Sequence, residues 1–223
     1  MIKGVIFDYN GTLYPDDDLQ DIAWKQTINK YFPEIENVDE ILKTTPFINN
    51  NYVLNYLTEL VGRKHISKEE IKRMSYDKET IYRNLCIKEN RNQLMPGADK
   101  LLDYLKNNGY KINICSSSIK PNIDFFVINT HLDKWFDPSI ISYDNEKVLN
   151  KEEMYKDAIN KLNLLPEDCL VFEDSIRSIN DAIKIGVRKI VKMNHFNKQK
   201  YMRKEILQEI KDFNELNYSI FKE

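Results

Sequence analysis

Five short apolar runs, Val5-Ile6-Phe7, Ile112-Asn113-Ile114-Cys115, Ile140-Ile141, Leu170-Val171-Phe172 and Ile190-Val191, set the frame for this chain. Each is as long as a buried strand, and helical patterns lie between several of them. Parallel strands need crossover connections, so strands alternating with helices imply a parallel sheet covered on both faces. An α/β fold is expected.

The helical patterns are well marked. Residues 96–108, "PGADKLLDYLKNN", follow a proline-glycine turn and place Leu101, Leu102 and Leu105 on one face. Gly109 then supplies the left-handed position that commonly ends a helix. Residues 152–163 repeat the pattern through Met154, Tyr155, Ala158, Ile159 and Leu162, and residues 175–185 through Ile176, Ile179 and Ile183. Ile206, Ile210, Phe213 and Leu216 read as a last helix lying on the core. Residues 16–92 hold no comparable strand run and read as helices over 22–32, 38–42, 53–61 and 68–85. The expected division is a core of residues 1–15 and 93–223, interrupted by an all-helical insertion over 16–92.

Charge narrows the partners. The 223 residues carry 33 Lys and Arg against 35 Asp and Glu, a formal net charge of −2, with no long basic run. Neither nucleic acid nor an acidic membrane surface is an expected partner. The apolar runs fall far short of the ~20 residues a membrane span needs. Cys86, Cys115 and Cys169 have no metal-site spacing and cannot all pair, which suits thiols in a reducing compartment. The chain enters a strand almost at once, without a signal-peptide pattern, so a cytoplasmic location is expected. His65, His131 and His195 are unclustered and, with Trp24 and Trp135, read as surface or packing residues.

In an open parallel sheet, ligands bind beyond the carboxyl ends of the strands. Asp8, Asn10, Gly11 and Thr12 follow the first run, and Ser116, Ser117 and Ser118 follow the second. Lys151 lies in the stretch after the third, and Glu173-Asp174 follow the fourth. A carboxylate, hydroxyls, a lysine and an acidic pair are thus expected along one edge.

This set resembles the haloacid dehalogenase superfamily, and the resemblance spans the chain. "DYNGTL" is similar to its first motif, "ICSSS" to its second, Lys151 in "KEEMYKDAI" to its third and "VFEDSIRSINDAIKIGV" to its fourth. "MPGADKLLDYLKNNGYKI" resembles the return from a helical cap to the core. The resemblance implies a Rossmann-like core with a cap domain, and a Mg²⁺-dependent phosphatase acting on a small phosphorylated substrate. It implies Asp8 as nucleophile, forming an aspartyl-phosphate, and Mg²⁺ held by Asp8, the Asn10 carbonyl, Glu173 and Asp174. Ser116, helped by Ser117, would grip a phosphoryl oxygen. Lys151, preferred to Lys147, would neutralise Asp8 and the phosphoryl group. Gly11 would turn the chain sharply beneath the phosphate, with Thr12 supporting that loop. A monomer or weak homodimer is expected.

Asn10 departs from the pattern. The family's phosphatases carry an aspartate there, which protonates the leaving alcohol and then activates water. Asparagine hydrogen-bonds but does not transfer protons, a loss worth ~10²–10⁴-fold in rate. Four readings stay open: a slow phosphatase, a deliberate substitution that traps substrate, a metal-independent dehalogenase, or a phospholigand sensor. The acidic pair Glu173-Asp174 disfavours the dehalogenase. Gln20, where the sugar phosphomutases carry a histidine, disfavours a mutase. Substrate choice is expected to fall to the cap, in its loop from Thr44 to Asn51.

Overall fold

The computed structural model describes residues 1–45, 49–63, 66–145, 150–194 and 201–222. Two compact units are present, one of Met1–Pro15 with Gln93–Glu223 and one of Asp16–Asn92. Strand β1 (Gly4–Phe7) leads into the second unit's helices α1 (Asp17–Tyr31), α2 (Val38–Thr44), α3 (Asn50–Leu60) and α4 (Lys68–Lys88). The first unit resumes with α5 (Ala98–Asn107), β2 (Lys111–Ile119), α6 (Lys120–Asn129), β3 (Ser142–Asp144) and α7 (Lys151–Lys161). It continues through β4 (Cys169–Glu173), α8 (Ile176–Lys184), β5 (Lys189–Met193) and β6 (Ile206–Ile210).

All six strands are parallel, in the order β3-β2-β1-β4-β5-β6, a Rossmann-like α/β sheet. All four residues of β1 are buried, as an inner strand covered on both faces requires. From β1 the sheet grows outward through β2 and β3, then reverses to β4 on the other side. That reversal opens a crevice at the carboxyl end of β1. On one face Ile6, Val171 and Ile190 pack against Tyr155, Ala158 and Ile159 of α7 and Ile179 of α8. On the other, Phe7 stacks on Phe172 at 4.9 Å between ring centroids and meets Phe136 and Phe213 edge-on.

Three expectations change. The C-terminal stretch is a strand, not a helix. Ile206 and Ile210 lie four apart, a spacing that fits one face of either element. Pairing with β5 decides it, and burial alternates along β6. Phe213–Glu215 and Tyr218–Phe221 are short 3-10 turns, capped by the side chains of Asp212 and Asn217. The third strand starts at Ser142, because Pro138 and the Asp137 cap hold Pro138–Ile140 in a 3-10 turn. The second strand runs through all three serines to Ile119, and α6 follows it directly. Ile123, Phe125, Phe126, Val127 and Ile128 give α6 no one-sided apolar stripe for a sequence reading to find.

In the helical unit, α1, α3 and α4 bury Trp24, Ile28, Phe32, Val53, Leu54, Leu57, Ile71 and Met74 together. A capping box between Ser67 and Glu70 starts α4. Lys78 is buried there, donating to Gln20 at 2.5 Å and pairing with Glu79 at 3.1 Å. Tyr82 donates to the buried Asp16 carboxylate at 2.6 Å. Among the described residues, no helix is long and apolar enough to cross a membrane.

Two glycines separate backbone strain from crowding. Gly97 has φ +82° at the start of α5, and a Cβ there would lie 2.8 Å from the Asn214 nitrogen. Gly109 has φ +73° with nothing within 4 Å of the same added atom. Gly97→Ala is expected to cost about 2–4 kcal/mol in urea unfolding. Gly109→Ala should cost about 1 kcal/mol, from strain alone.

Candidate active site

β1 delivers Asp8 to the crevice, and the Asp8 N–H extends the ladder by donating to the Phe172 carbonyl at 3.0 Å. The loop beyond it is rigidly held. Tyr9 is buried, stacks on Phe126 at 4.1 Å and shares a 3.1 Å hydrogen bond with Thr130. The N–H of Gly11 donates to the Tyr14 carbonyl at 2.8 Å, and that of Tyr14 to the Tyr9 carbonyl at 2.9 Å. Gly11 has φ +75°, and a Cβ there would sit 2.8 Å from Asp174 Oδ2. Glycine is therefore needed twice, for the turn and for the approach of that carboxylate.

Lys151, the first residue of α7, points its Nζ at Asp8 Oδ1, 2.5 Å away, and donates to the Cys115 carbonyl at 2.8 Å. Glu173 Oε2 lies 3.5 Å from the same nitrogen. Asp8, Lys151 and Glu173 are all buried. Burial pushes the Asp8 carboxyl up to about 6, with Asp174 adding to the effect and Lys151 opposing it. Glu173 is raised in the same way, by burial first and then by the charge of Asp8. Burial works against the Lys151 ammonium, but the charges of Asp8 and Glu173 outweigh it and hold the proton there. Burial also lifts the neighbouring Cys115 thiol to about 12, so it stays protonated and unreactive.

One carboxylate oxygen each from Asp8, Glu173 and Asp174 lie within 4.8 Å of one another. Three carboxylates against one ammonium leave an excess of negative charge in a largely buried site, which a divalent cation would offset. An all-oxygen donor set suits a hard cation, and the cradle at Gly11 leaves Asp174 room to serve it. The residues present fit a metal ion.

The serines divide by strand alternation. Ser116 is buried, and its Oγ accepts the Ser118 N–H at 3.2 Å. Ser117 is exposed. Ser118, for which the sequence suggested no role of its own, donates from its hydroxyl to Asn10 Oδ1 at 2.9 Å. The signal for it was the alternation itself, since Ser116 and Ser118 share a face of β2. Thr12 is fully buried, and its hydroxyl has no hydrogen-bond partner among the described residues. Lys147, the competitor of Lys151, lies outside the described residues.

Residues 2–184 match the family model described as haloacid dehalogenase-like hydrolase. The chain belongs to that family. This bears out the resemblance carried by the four motifs. The chain is similar to a phosphorylated carbohydrates phosphatase of Thermotoga maritima. The two are 25% identical over 195 residues, covering 87% of this chain and 86% of the relative. It is also similar to the pyrophosphatase PpaX of Bacillus cereus, at 24% identity over 195 residues, 84% of this chain and 81% of that one. A crystal structure of a family IA, variant 3 hydrolase from Entamoeba histolytica superposes with a TM-score of 0.83 at 28% identity. That match covers 98% of this chain and 96% of the other.

Metal affinity should depend on pH, because a ligand must be deprotonated to bind. Asp8 keeps its proton below about 6. Mn²⁺ affinity, measured by calorimetry on either side of that pH, should weaken roughly tenfold per unit as pH falls further below it. A flat profile would exclude Asp8 from the ligands.

Proposed function

We propose that this hydrolase is a metal-dependent phosphatase that cleaves small phosphate monoesters through an aspartyl-phosphate on Asp8. The observation that carries the reading is the buried Lys151–Asp8 contact beside the acidic cluster at the carboxyl end of β1. Phosphatases among the relatives support it.

Asp8 attacks phosphorus with one carboxylate oxygen, and the bond from phosphorus to the leaving alcohol breaks. Lys151 holds the attacking carboxylate in place and neutralises charge gathering on the phosphoryl oxygens. Ser116 lies on the second strand beside β1, in reach of a role in gripping one of those oxygens, while the exposed Ser117 is the weaker candidate. Asp8, Asp174 and the Asn10 carbonyl would hold the cation, with Glu173 beside them. Bound there, the cation, Mg²⁺ by family resemblance, supplies a Lewis acid that polarises the phosphoryl group. The same cluster argues against metal-independent dehalogenation, which has no use for a surplus of carboxylates.

In the second step water attacks the aspartyl-phosphate, the phosphorus–Asp8 bond breaks, and a proton must leave the water. The Asn10 side-chain oxygen accepts the Ser118 hydroxyl. An amide can stabilise the leaving oxygen but cannot carry the proton for either step. Both steps are therefore slow, and the helical unit over 16–92 serves as the cap that chooses the substrate and excludes water. Of its loop from Thr44 to Asn51, residues 46–48 lie outside the described residues.

Replacing Asn10 by Asp should raise turnover of a generic aryl phosphate by about 10²-fold or more. Unchanged turnover would remove the proton-transfer account. With water attack the slower of the two steps, a phosphoenzyme on Asp8 should accumulate in a quenched reaction of the Asn10 chain and be absent from Asp8→Asn. Tight phosphate-ester binding with no turnover, even in Asn10→Asp, would favour a phospholigand sensor instead.

A further inference from the structure

Glu173 sits in the acidic cluster, yet its carboxylate is already engaged on every side. Oε1 accepts the N–H of Asp174 at 3.2 Å and that of Ser175 at 3.0 Å. Oε2 accepts the hydroxyl of Tyr155 at 2.6 Å and lies 3.5 Å from Lys151 Nζ. A carboxylate offers about four lone-pair sites; three of them accept hydrogen bonds, and the Lys151 ammonium pairs with Oε2 beside them. The group is buried, so none of them can be released to water without loss.

We infer that Glu173 is a positioning residue rather than a direct metal ligand, held in that role by the Tyr155 hydroxyl. The inference rests on the phosphatase reading and sharpens one part of it. Lys151 and Tyr155 are four residues apart on α7, so one helix face presents both to the same carboxylate. The ammonium also lies 5.4 Å from the centre of the Tyr155 ring. Tyr155 is fully buried, and its hydroxyl, 2.6 Å from a carboxylate oxygen that can only accept, is the donor. For Glu173 to turn an oxygen onto a cation, it would have to abandon Tyr155, Lys151 or a backbone N–H.

Left where it is, Glu173 orients two working groups. Through Oε2 it gives the Lys151 ammonium a second anchor, so that the charge stays aimed at Asp8. Through Oε1 it holds the backbone of Asp174, whose carboxylate fits into the space left by Gly11. The cation would then be gripped by Asp8, Asp174 and the Asn10 carbonyl, with its remaining positions filled by water and substrate, as Mg²⁺ commonly keeps several waters.

Mn²⁺ calorimetry on the substrate-free protein tests this apart from turnover. Asp174→Asn should weaken Mn²⁺ by about 100-fold or more, while Glu173→Gln, which keeps shape and hydrogen bonding, should weaken it by no more than about tenfold. Tyr155→Phe removes only the hydroxyl. It should leave Mn²⁺ affinity undiminished and KM unchanged while kcat falls about tenfold, a split that a general packing defect would not produce. Loss of Mn²⁺ in Glu173→Gln equal to that in Asp174→Asn would overturn the inference, as would wild-type kcat in Tyr155→Phe. If a variant does not fold, a crystal structure of the Mn²⁺-loaded native chain decides. Tyr155 Oη should remain on Glu173 with neither Glu173 oxygen bound to the ion, and direct ligation would overturn the assignment. A native chain that takes up no Mn²⁺ would defeat the phosphatase reading itself, an outcome distinct from these.

Discussion

The site depends on one buried ammonium. Lys151 is placed where a lysine would ordinarily be costly, and it is tolerated because Asp8, Glu173 and the Cys115 carbonyl surround its nitrogen. The converse also holds. Asp8 and Glu173 resist ionisation in that setting, and among the described residues Lys151 is the positive charge that opposes this for both. Even so, the carboxylates outnumber the cation. Such an excess of buried like charge suits a divalent cation, the role the proposed function gives this cluster.

Everything else positions that cluster. β1 is inner and short, so Asp8 emerges where the sheet order reverses. Tyr9, Tyr14 and Phe126 stack beside it and fix the following turn. Within that turn the geometry at Gly11 admits the Asp174 carboxylate and little else. Asn10 shares the same rigid loop, its side chain tied to Ser118. On the proposed reading, asparagine at this position removes a proton carrier, and the Ser118 hydroxyl holds the side chain that stands there.

Much of this was legible in the residues. The apolar runs before Asp8, Ser116 and Glu173 read as strands because inner parallel strands are buried on both faces and leave an unbroken signal. The helices over Ala98–Asn107, Lys151–Lys161 and Ile176–Lys184 were equally clear, because each has one apolar face and one wet one. Where an element lacks such contrast, the reading failed. Ile206 and Ile210 fit two periodicities at once, and only the free edge of β5 selects the strand. α6 is apolar nearly all round, and Ile140-Ile141 mark a turn next to a strand rather than the strand.

The chain by itself determined which chemical groups stand at the strand ends, because motif order and strand patterning are both local properties of sequence. It determined, too, that no carboxylate would stand at position 10. The tertiary structure alone decided how those groups meet. That Ser118 and not Ser117 reaches Asn10 follows from the length of β2, and that Tyr155 engages Glu173 follows from how α7 lies against β4. Contacts of that kind depend on strand register and helix placement between residues 108 apart in the chain for Asn10 and Ser118 and 18 apart for Tyr155 and Glu173, which no local pattern encodes.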